Sequence, residues 1–234
     1  MIAIIERGNT RTKLSVMDLK ANIIEFKFWS EFNLNIINGF LLNDFQYIRY
    51  CNTSRNFDVV PKKWHEVFST SKWPLEINYS KNIGIDRLAG VTGAKFISKK
   101  DSLLVISCGT CLTFSYLNQN RFQGGAISPG LLMRLRSMNY YTSSLPLLEP
   151  NYKKNVSQDT ANTDISMQNG AYEGMLFEIQ HRINLYKQVD PEVRIFITGG
   201  DGPAFAESME NSIFANPNLE AIGFFAQWSY EKNR

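Results

Sequence analysis

Val105-Ile106-Ser107-Cys108-Gly109-Thr110-Cys111-Leu112-Thr113 restates a pattern already written at Ile4-Ile5-Glu6-Arg7-Gly8-Asn9-Thr10-Arg11-Thr12-Lys13. Each copy has two aliphatic residues, two variable positions, Gly, a small polar residue, two more positions, then Thr or Lys. An apolar strand that breaks at Gly and resumes as a strand is a β-hairpin, and its turn leaves backbone N–H groups free to hold an anion. Two such hairpins about a hundred residues apart predict two related halves, each presenting a phosphate-gripping turn to a shared cleft. The copies differ in one respect: an acid, Glu6, precedes the glycine in the first, and Ser107 stands in that place in the second.

Working outward, residues 2–6, 11–17 and 23–29 read as three antiparallel strands, with Leu14, Val16, Phe26 and Phe28 supplying the alternation of a half-buried sheet. Residues 31–42 read as a helix with Phe32, Ile36 and Phe40 near one face, and 46–51 as a strand. Pro61 is placed to open a helix that buries Trp64, Val67 and Phe68. A further helix carries Asp86, Leu88 and Val91. Three strands follow, at 103–107, 111–117 and 122–127, repeating the opening order. Gly124-Gly125 would let a ligand or another backbone come close. Pro129-Gly130 opens the helix Leu131–Met138, and residues 142–162 read as irregular. Thr163 is expected to cap a long helix through about Lys187, packed through Met167, Ala171, Met175, Phe177 and Ile179. Gly170 and Gly174 on it suggest close approach of another helix. Val193–Thr198 is a short strand delivering Gly199-Gly200-Asp201-Gly202, a turn that admits a nucleotide against bare backbone. The last helix spans about 218–231. The expected fold is therefore mixed α/β, with one half over 1–86 and the other over 87–234.

Composition narrows the chemistry. With 44% hydrophobic and 20% charged residues in 234, the chain describes an ordinary globular protein. The net charge of +3 is spread out, and Lys62-Lys63, Lys99-Lys100 and Lys153-Lys154 are isolated pairs, so a nucleic-acid stripe is not expected. Three cysteines form no disulfide framework, and Cys108-x-x-Cys111 reads as small residues in a turn and strand, not as a redox or metal pair. No signal peptide and no membrane-length apolar run is legible, which predicts a cytoplasmic protein. Only two histidines are present, and neither His65 nor His181 has the neighbourhood of a Ser/His/Asp triad. No Walker-type or Gly-x-Gly-x-x-Gly loop occurs.

What remains suits phosphoryl transfer, which asks mainly for positioning and charge stabilisation. Glu6 is the candidate for holding Mg²⁺ through water and Lys13 for meeting a phosphate. Asp86 is the candidate acceptor of the proton of an attacking hydroxyl, with Arg87 beside it as an anchor. Asp86 could equally be no more than a helix cap.

Five motifs in fixed order carry a resemblance: Gly8-Asn9-Thr10-x-x-Lys13, Gly84-x-Asp86-Arg87, Gly109-Thr110-x-x-Thr113, Gly124-Gly125-x-Ile127-x-Pro129-Gly130 and Thr198-Gly199-Gly200-Asp201. Together they resemble type III pantothenate kinase, of the actin/hexokinase/Hsp70-like ATPase superfamily, over nearly the whole chain. The resemblance implies duplicated ribonuclease H-like halves with mixed sheets around a central cleft, and transfer of the ATP γ-phosphate to pantothenate, the first step of coenzyme A synthesis. It also implies a homodimer with the substrate pocket near the interface, a divalent cation, and potassium or ammonium. By motif, Glu6, Arg7, Gly8, Asn9, Thr10, Arg11, Thr12 and Lys13, with Gly109 and Thr110, contact ATP. Gly84, Ile85, Asp86 and Arg87 bind pantothenate, with Tyr79 and Thr163 as further substrate contacts. Two positions depart from the pattern: the family usually has Asp at Glu6, and at Ser107 it has an Asp that helps to bind the monovalent cation. A neutral hydroxyl is the poorer ligand, so weakened potassium dependence is expected. A catalytically weak relative, acting as a nucleotide-binding regulatory or accessory protein, is the alternative these departures leave open.

Overall fold

Strand order repeats as well as sequence. The computed structural model describes residues 1–41, 45–54, 59–77, 79, 83–152, 162–209 and 213–233, which form two compact units, 1–99 with 218–234 and 100–217. In the first unit β1 (Ile2–Arg7), β2 (Thr12–Met17), β3 (Ile23–Trp29), β4 (Tyr47–Asn52) and β5 (His65–Glu66) lie in the order β3-β2-β1-β4-β5. The β1–β2 and β2–β3 pairs are antiparallel, whereas β4 runs parallel to β1 and β5 parallel to β4. α1 (Leu34–Phe40), the two-residue strand β6 (Glu76–Ile77), α2 (Ile85–Ser98) and α6 (Leu219–Lys232) complete this unit.

The second unit uses β7 (Leu103–Cys108), β8 (Cys111–Asn118), β9 (Arg121–Gly124), β11 (Arg194–Thr198) and β12 (Ile213–Ala215) in the matching order β9-β8-β7-β11-β12. Again a meander of three is joined by a parallel strand beside its first member. β10 (Ile127–Pro129) pairs with β8, and α3 (Leu131–Tyr141), α4 (Thr163–Val189) and α5 (Gly202–Ala206) surround the sheet. The duplication read from the two hairpins is thus a duplication of topology.

Each unit has its own core. Ala3, Ile5, Leu14, Val16, Ile37, Ile48, Tyr50 and Trp64 pack together in the first. In the second, Ile106, Phe114, Leu135, Met175, Ile179, Ile197 and Phe205 do so. The division falls at Lys99/Lys100 instead of the expected 86/87, because α2 and α6 pack backbone against backbone and return the C-terminal helix to the first unit. A Cβ on Gly223 would lie 1.8 Å from the Ala89 carbonyl oxygen, and one on Gly93 would lie 2.1 Å from that of Leu219. Close helix approach therefore occurs at these two glycines. At Gly170 a Cβ would meet nothing within 4 Å among the described residues, and at Gly174 only the Arg134 guanidinium, at 3.7 Å.

Other local expectations change where tertiary contacts outweigh local pattern. Pro61 opens a turn, closed by Trp64 N–H to the Pro61 carbonyl, instead of a helix. Trp64 and Val67 are buried as expected, Trp64 against Tyr50, because the segment is drawn into β5 beside β4, and Phe68 is left exposed. α1 buries Ile37, while Ile36 and Phe40 stay exposed. Phe26 and Phe28 are exposed on the edge strand β3, where the Arg11 guanidinium covers Phe28. Asn162, not Thr163, caps α4, its Oδ1 accepting from the Asp164 and Ile165 N–H groups. Phe177 on that helix is exposed. The strand expected over 122–127 is broken at Gly125 (φ +144°), whose bare Cα lets the backbone of Phe114 approach, so that glycine pair admits another backbone. Leu42, the 55–58 part of the Asn-rich loop, 80–82, the Lys153-Lys154 pair and 155–161 lie outside the described residues.

Candidate active site

Hairpin register does the first work. Glu6 on β1 faces Lys13 on β2 and Cys51 on β4, so one row across three strands carries an acid, a base and a thiol on the same side of the sheet. The Gly8 N–H closes the turn on the Arg11 carbonyl at 2.9 Å, leaving Asn9 and Thr10 exposed at its tip. Of the other side chains expected at ATP, the Thr12 side chain is buried, Arg7 lies over Phe32 and Arg11 over Phe28.

Asp86 enters from the first turn of α2, after the N-cap Gly84. A Cβ at Gly84 would sit 2.5 Å from Asp86 Oδ1, so the Gly-x-Asp spacing leaves room for this carboxylate over the helix N-terminus. The Arg87 and Asp86 backbone N–H groups favour the charged form of this carboxylate, and the carboxylate in turn raises Glu6. Arg87 is buried, its guanidinium 5.6 Å over the half-exposed Tyr79 ring.

A residue not singled out from the sequence joins them. Glu220, in the first turn of α6, accepts from Lys13 Nζ at 2.8 Å and is itself buried. Its legible signal is an acid sharing one helical stripe with Gly223, Phe224 and Gln227, all buried. Glu6 and Glu220 thus flank one ammonium. Burial pushes Glu6 up to about 7, opposed by Lys13 and reinforced by Glu220 and Asp86. Asp86 is raised by burial and by Glu220. Burial acts to depress the Lys13 ammonium, but Glu6 and Glu220 overcome it and raise it. Burial holds Cys51 well above the usual thiol range, so it stays protonated and is no nucleophile.

The sign for stability follows. Glu6 rises from an ordinary 4.5 to about 7, so its carboxyl costs the fold nothing below 4.5, an increasing amount between 4.5 and 7, and the full amount above 7. That cost is on the order of 2 to 3 kcal/mol. In magnesium-free buffer Glu6→Gln is therefore expected to melt several degrees above the wild type at pH 8.5 and level with it near pH 4.5. Equal melting at both pH values in a calorimetric series would contradict this.

In the second unit three backbone turns meet. The Asp201 N–H donates to the Cys108 carbonyl at 3.0 Å, and the Gly130 N–H donates to that of Thr110 at 3.2 Å. Gly199 has φ +88°, and a Cβ there would lie 2.2 Å from the Cys108 carbonyl oxygen, so only glycine fits. The Gly109-Thr110 turn and the Gly199-Gly200 turn thereby share one patch of exposed backbone. Tyr152 donates to Asp201 Oδ1 at 2.7 Å beside it. Ser107 is in register with Thr113 and Thr198, a row of neutral hydroxyls with no carboxylate among them. Cys108 is raised by burial and Asp201, and all three cysteines are free thiols. Thr163 stands exposed in the first turn of α4.

Among the described residues no three His, Cys, Asp or Glu side chains converge as a metal cage. Glu6 is a donor of the kind magnesium takes, since that ion keeps several waters and uses one or two carboxylates beside substrate phosphates.

Comparison with known proteins agrees with this chemistry. A family model described as type III pantothenate kinase matches residues 47–184. The chain is 33% identical over 250 residues to the type III pantothenate kinase of Flavobacterium psychrophilum, covering 99% of this chain and 100% of that one. It is 29% identical to the enzyme of that name from Phocaeicola vulgatus, over 98% of each. Among solved structures, a conserved Baf-family transcriptional activator from Campylobacter jejuni superposes with TM-score 0.66 at 18% identity, covering 99% of this chain and 100% of that one. The activator of 2-hydroxyisocaproyl-CoA dehydratase from Clostridium difficile, with bound ADPNP, gives 0.53 at 14% identity, covering 97% and 93%. These structural likenesses establish the actin-like ATPase fold.

Proposed function

Because the chain belongs to the type III pantothenate kinase family, we propose that it transfers the γ-phosphate of ATP to pantothenate, giving 4′-phosphopantothenate for coenzyme A synthesis. The observation that supports this is the hairpin register that sets Glu6 opposite Lys13, with Asp86, seated over Gly84, acting on the Glu6 carboxyl. A buried carboxylate held above its ordinary range suits a general base.

Asp86 takes the proton of the pantothenate hydroxyl as it attacks the γ-phosphorus, and Arg87 with Tyr79 holds the acidic acceptor. Lys13 and the N–H groups of the Gly8–Arg11 turn contact the phosphates, with the Gly109-Thr110 turn and the Gly199-Gly200 backbone as further nucleotide contacts. Glu6 would hold Mg²⁺ through water, and that ion would supply neutralisation of the phosphate charge. Thr163 is a further acceptor contact. The proposal includes a homodimer, for which Met133, Tyr140 and Tyr141 on α3 and Phe177, Leu185 and Val189 on α4 offer exposed apolar surface. It also includes a cytoplasmic location, consistent with the absence of any membrane-length apolar helix among the described residues.

The test is ATP-dependent phosphorylation of pantothenate followed by mass spectrometry. No 4′-phosphopantothenate at any magnesium concentration overturns the proposal. Because Ser107 lies in a row of neutral hydroxyls, potassium is expected to change the wild-type rate little at constant ionic strength. Ser107→Asp should introduce a potassium requirement. A strict requirement in the wild type would contradict the assignment of that position.

A further inference from the structure

Lys13 is a long, flexible side chain with three donors, and a phosphate-contacting ammonium is useful only where it is held. Its neighbour Glu6 belongs to the same hairpin and is assigned to the metal. Glu220 comes from the last helix of the chain, 207 residues away in sequence, and grips Lys13 Nζ at 2.8 Å. The Glu220 side chain is 12% exposed against 30% for Lys13, so the acid is the buried, fixed partner and the base the reaching one. The fixing is done by the backbone. Glu220 follows Leu219, whose carbonyl oxygen lies 2.1 Å from where a Cβ on Gly93 would be, and one turn later Gly223 rests on Ala89. Helix α6 cannot slide along α2 without a clash, and α2 carries Asp86. The same contact therefore sets both the base and the anchor of the phosphate lysine.

We infer that Glu220 is a positioning residue that holds Lys13 in place for the ATP phosphates. The inference rests on the reading of Lys13 as a nucleotide contact given above. It assigns to the C-terminal helix a part in nucleotide binding that no motif of the sequence marks. Glu220 pairs with Lys13 and also raises the Asp86 carboxyl, so its removal is felt first in ATP binding, and the part of the loss that runs through Lys13 must vanish once Lys13 is gone.

The experiment is a double-mutant cycle with Glu220→Gln, Lys13→Met and both together, reading the ATP dissociation constant by calorimetry and KM for each substrate. Glu220→Gln is expected to weaken ATP binding about 10-fold and leave KM for pantothenate within about 2-fold. The double variant should bind ATP no more weakly than Lys13→Met alone, and Glu220→Asp should recover part of the loss. A merely structural glutamate would instead give additive losses or raise both KM values together, and either result overturns the inference. Unchanged or tighter ATP binding by Glu220→Gln overturns it too, while leaving the kinase assignment standing. A wild-type chain that binds no ATP overturns both. If Glu220→Gln does not fold, Glu220→Asp carries the test, since withdrawing the carboxylate by one methylene must weaken ATP binding selectively or the inference falls.

Discussion

Asp86→Asn is expected to lower kcat for pantothenate phosphorylation about 10³-fold, within the range general bases contribute, while ATP binds within a few-fold of the wild type. The amide keeps the shape of the carboxylate and its place over Gly84, where there is room for no Cβ, but cannot accept the hydroxyl proton. Stability separates this from a folding defect. Burial and Glu220 hold the Asp86 carboxyl above its ordinary 3.8, so at neutral pH the charged form is the one the fold disfavours. The neutral variant should accordingly melt at or above the wild-type temperature. By the same sign, the wild-type kcat/KM should rise with pH along an acidic limb displaced upward from the ordinary aspartate range. A variant that keeps more than about a tenth of wild-type kcat would remove Asp86 from the role of base.

Gly223→Ala has the largest expected effect on the fold. Its new methyl would fall 1.8 Å from the Ala89 oxygen and 2.5 Å from the Ala89 carbonyl carbon, both backbone atoms that cannot rotate away. Overpacking of this kind costs about 3 kcal/mol or more, and the helices must separate to relieve it. A drop of roughly 10 °C or more in melting temperature is expected, with activity lost beyond the loss of folded protein because α2 and α6 carry Asp86 and Glu220. Gly170→Ala is the matched control. There the methyl meets nothing within 4 Å, and alanine should stabilise α4 by about 0.5–1 kcal/mol. The same substitution on two helices thus has opposite signs. A harmless Gly223→Ala would mean that α2 and α6 do not touch through their backbones.

These two outcomes mark what could and could not be read in advance. Gly170 and Gly174, one turn apart on a long helix, carry the local signal for close contact, whereas Gly93 and Gly223 stand on separate helices and carry none. Whether a glycine is needed depends on what stands opposite it, and that is set by the partner helix. Likewise Pro61 has the local features of a helix start, yet the Tyr50–Trp64 contact and pairing with β4 draw the segment into an extended strand. Local propensity is worth tenths of a kcal/mol per residue, and burial of a tryptophan exceeds it.

By itself, the sequence determined the duplicated mixed α/β fold and named most residues of the proposed site. Hairpins are local: Gly at the turn and alternation on either side specify register, and register alone sets Glu6 opposite Lys13. The same locality made Gly84-x-Asp86 legible, since the glycine clears the space its own neighbour occupies. Only the tertiary structure decided that Glu220 belongs with them. It lies at the far end of the chain and reaches Lys13 because Gly93 and Gly223 let two helices meet at their backbones. Gly223 stands one turn from Glu220, but nothing near position 220 says which helix that turn will meet.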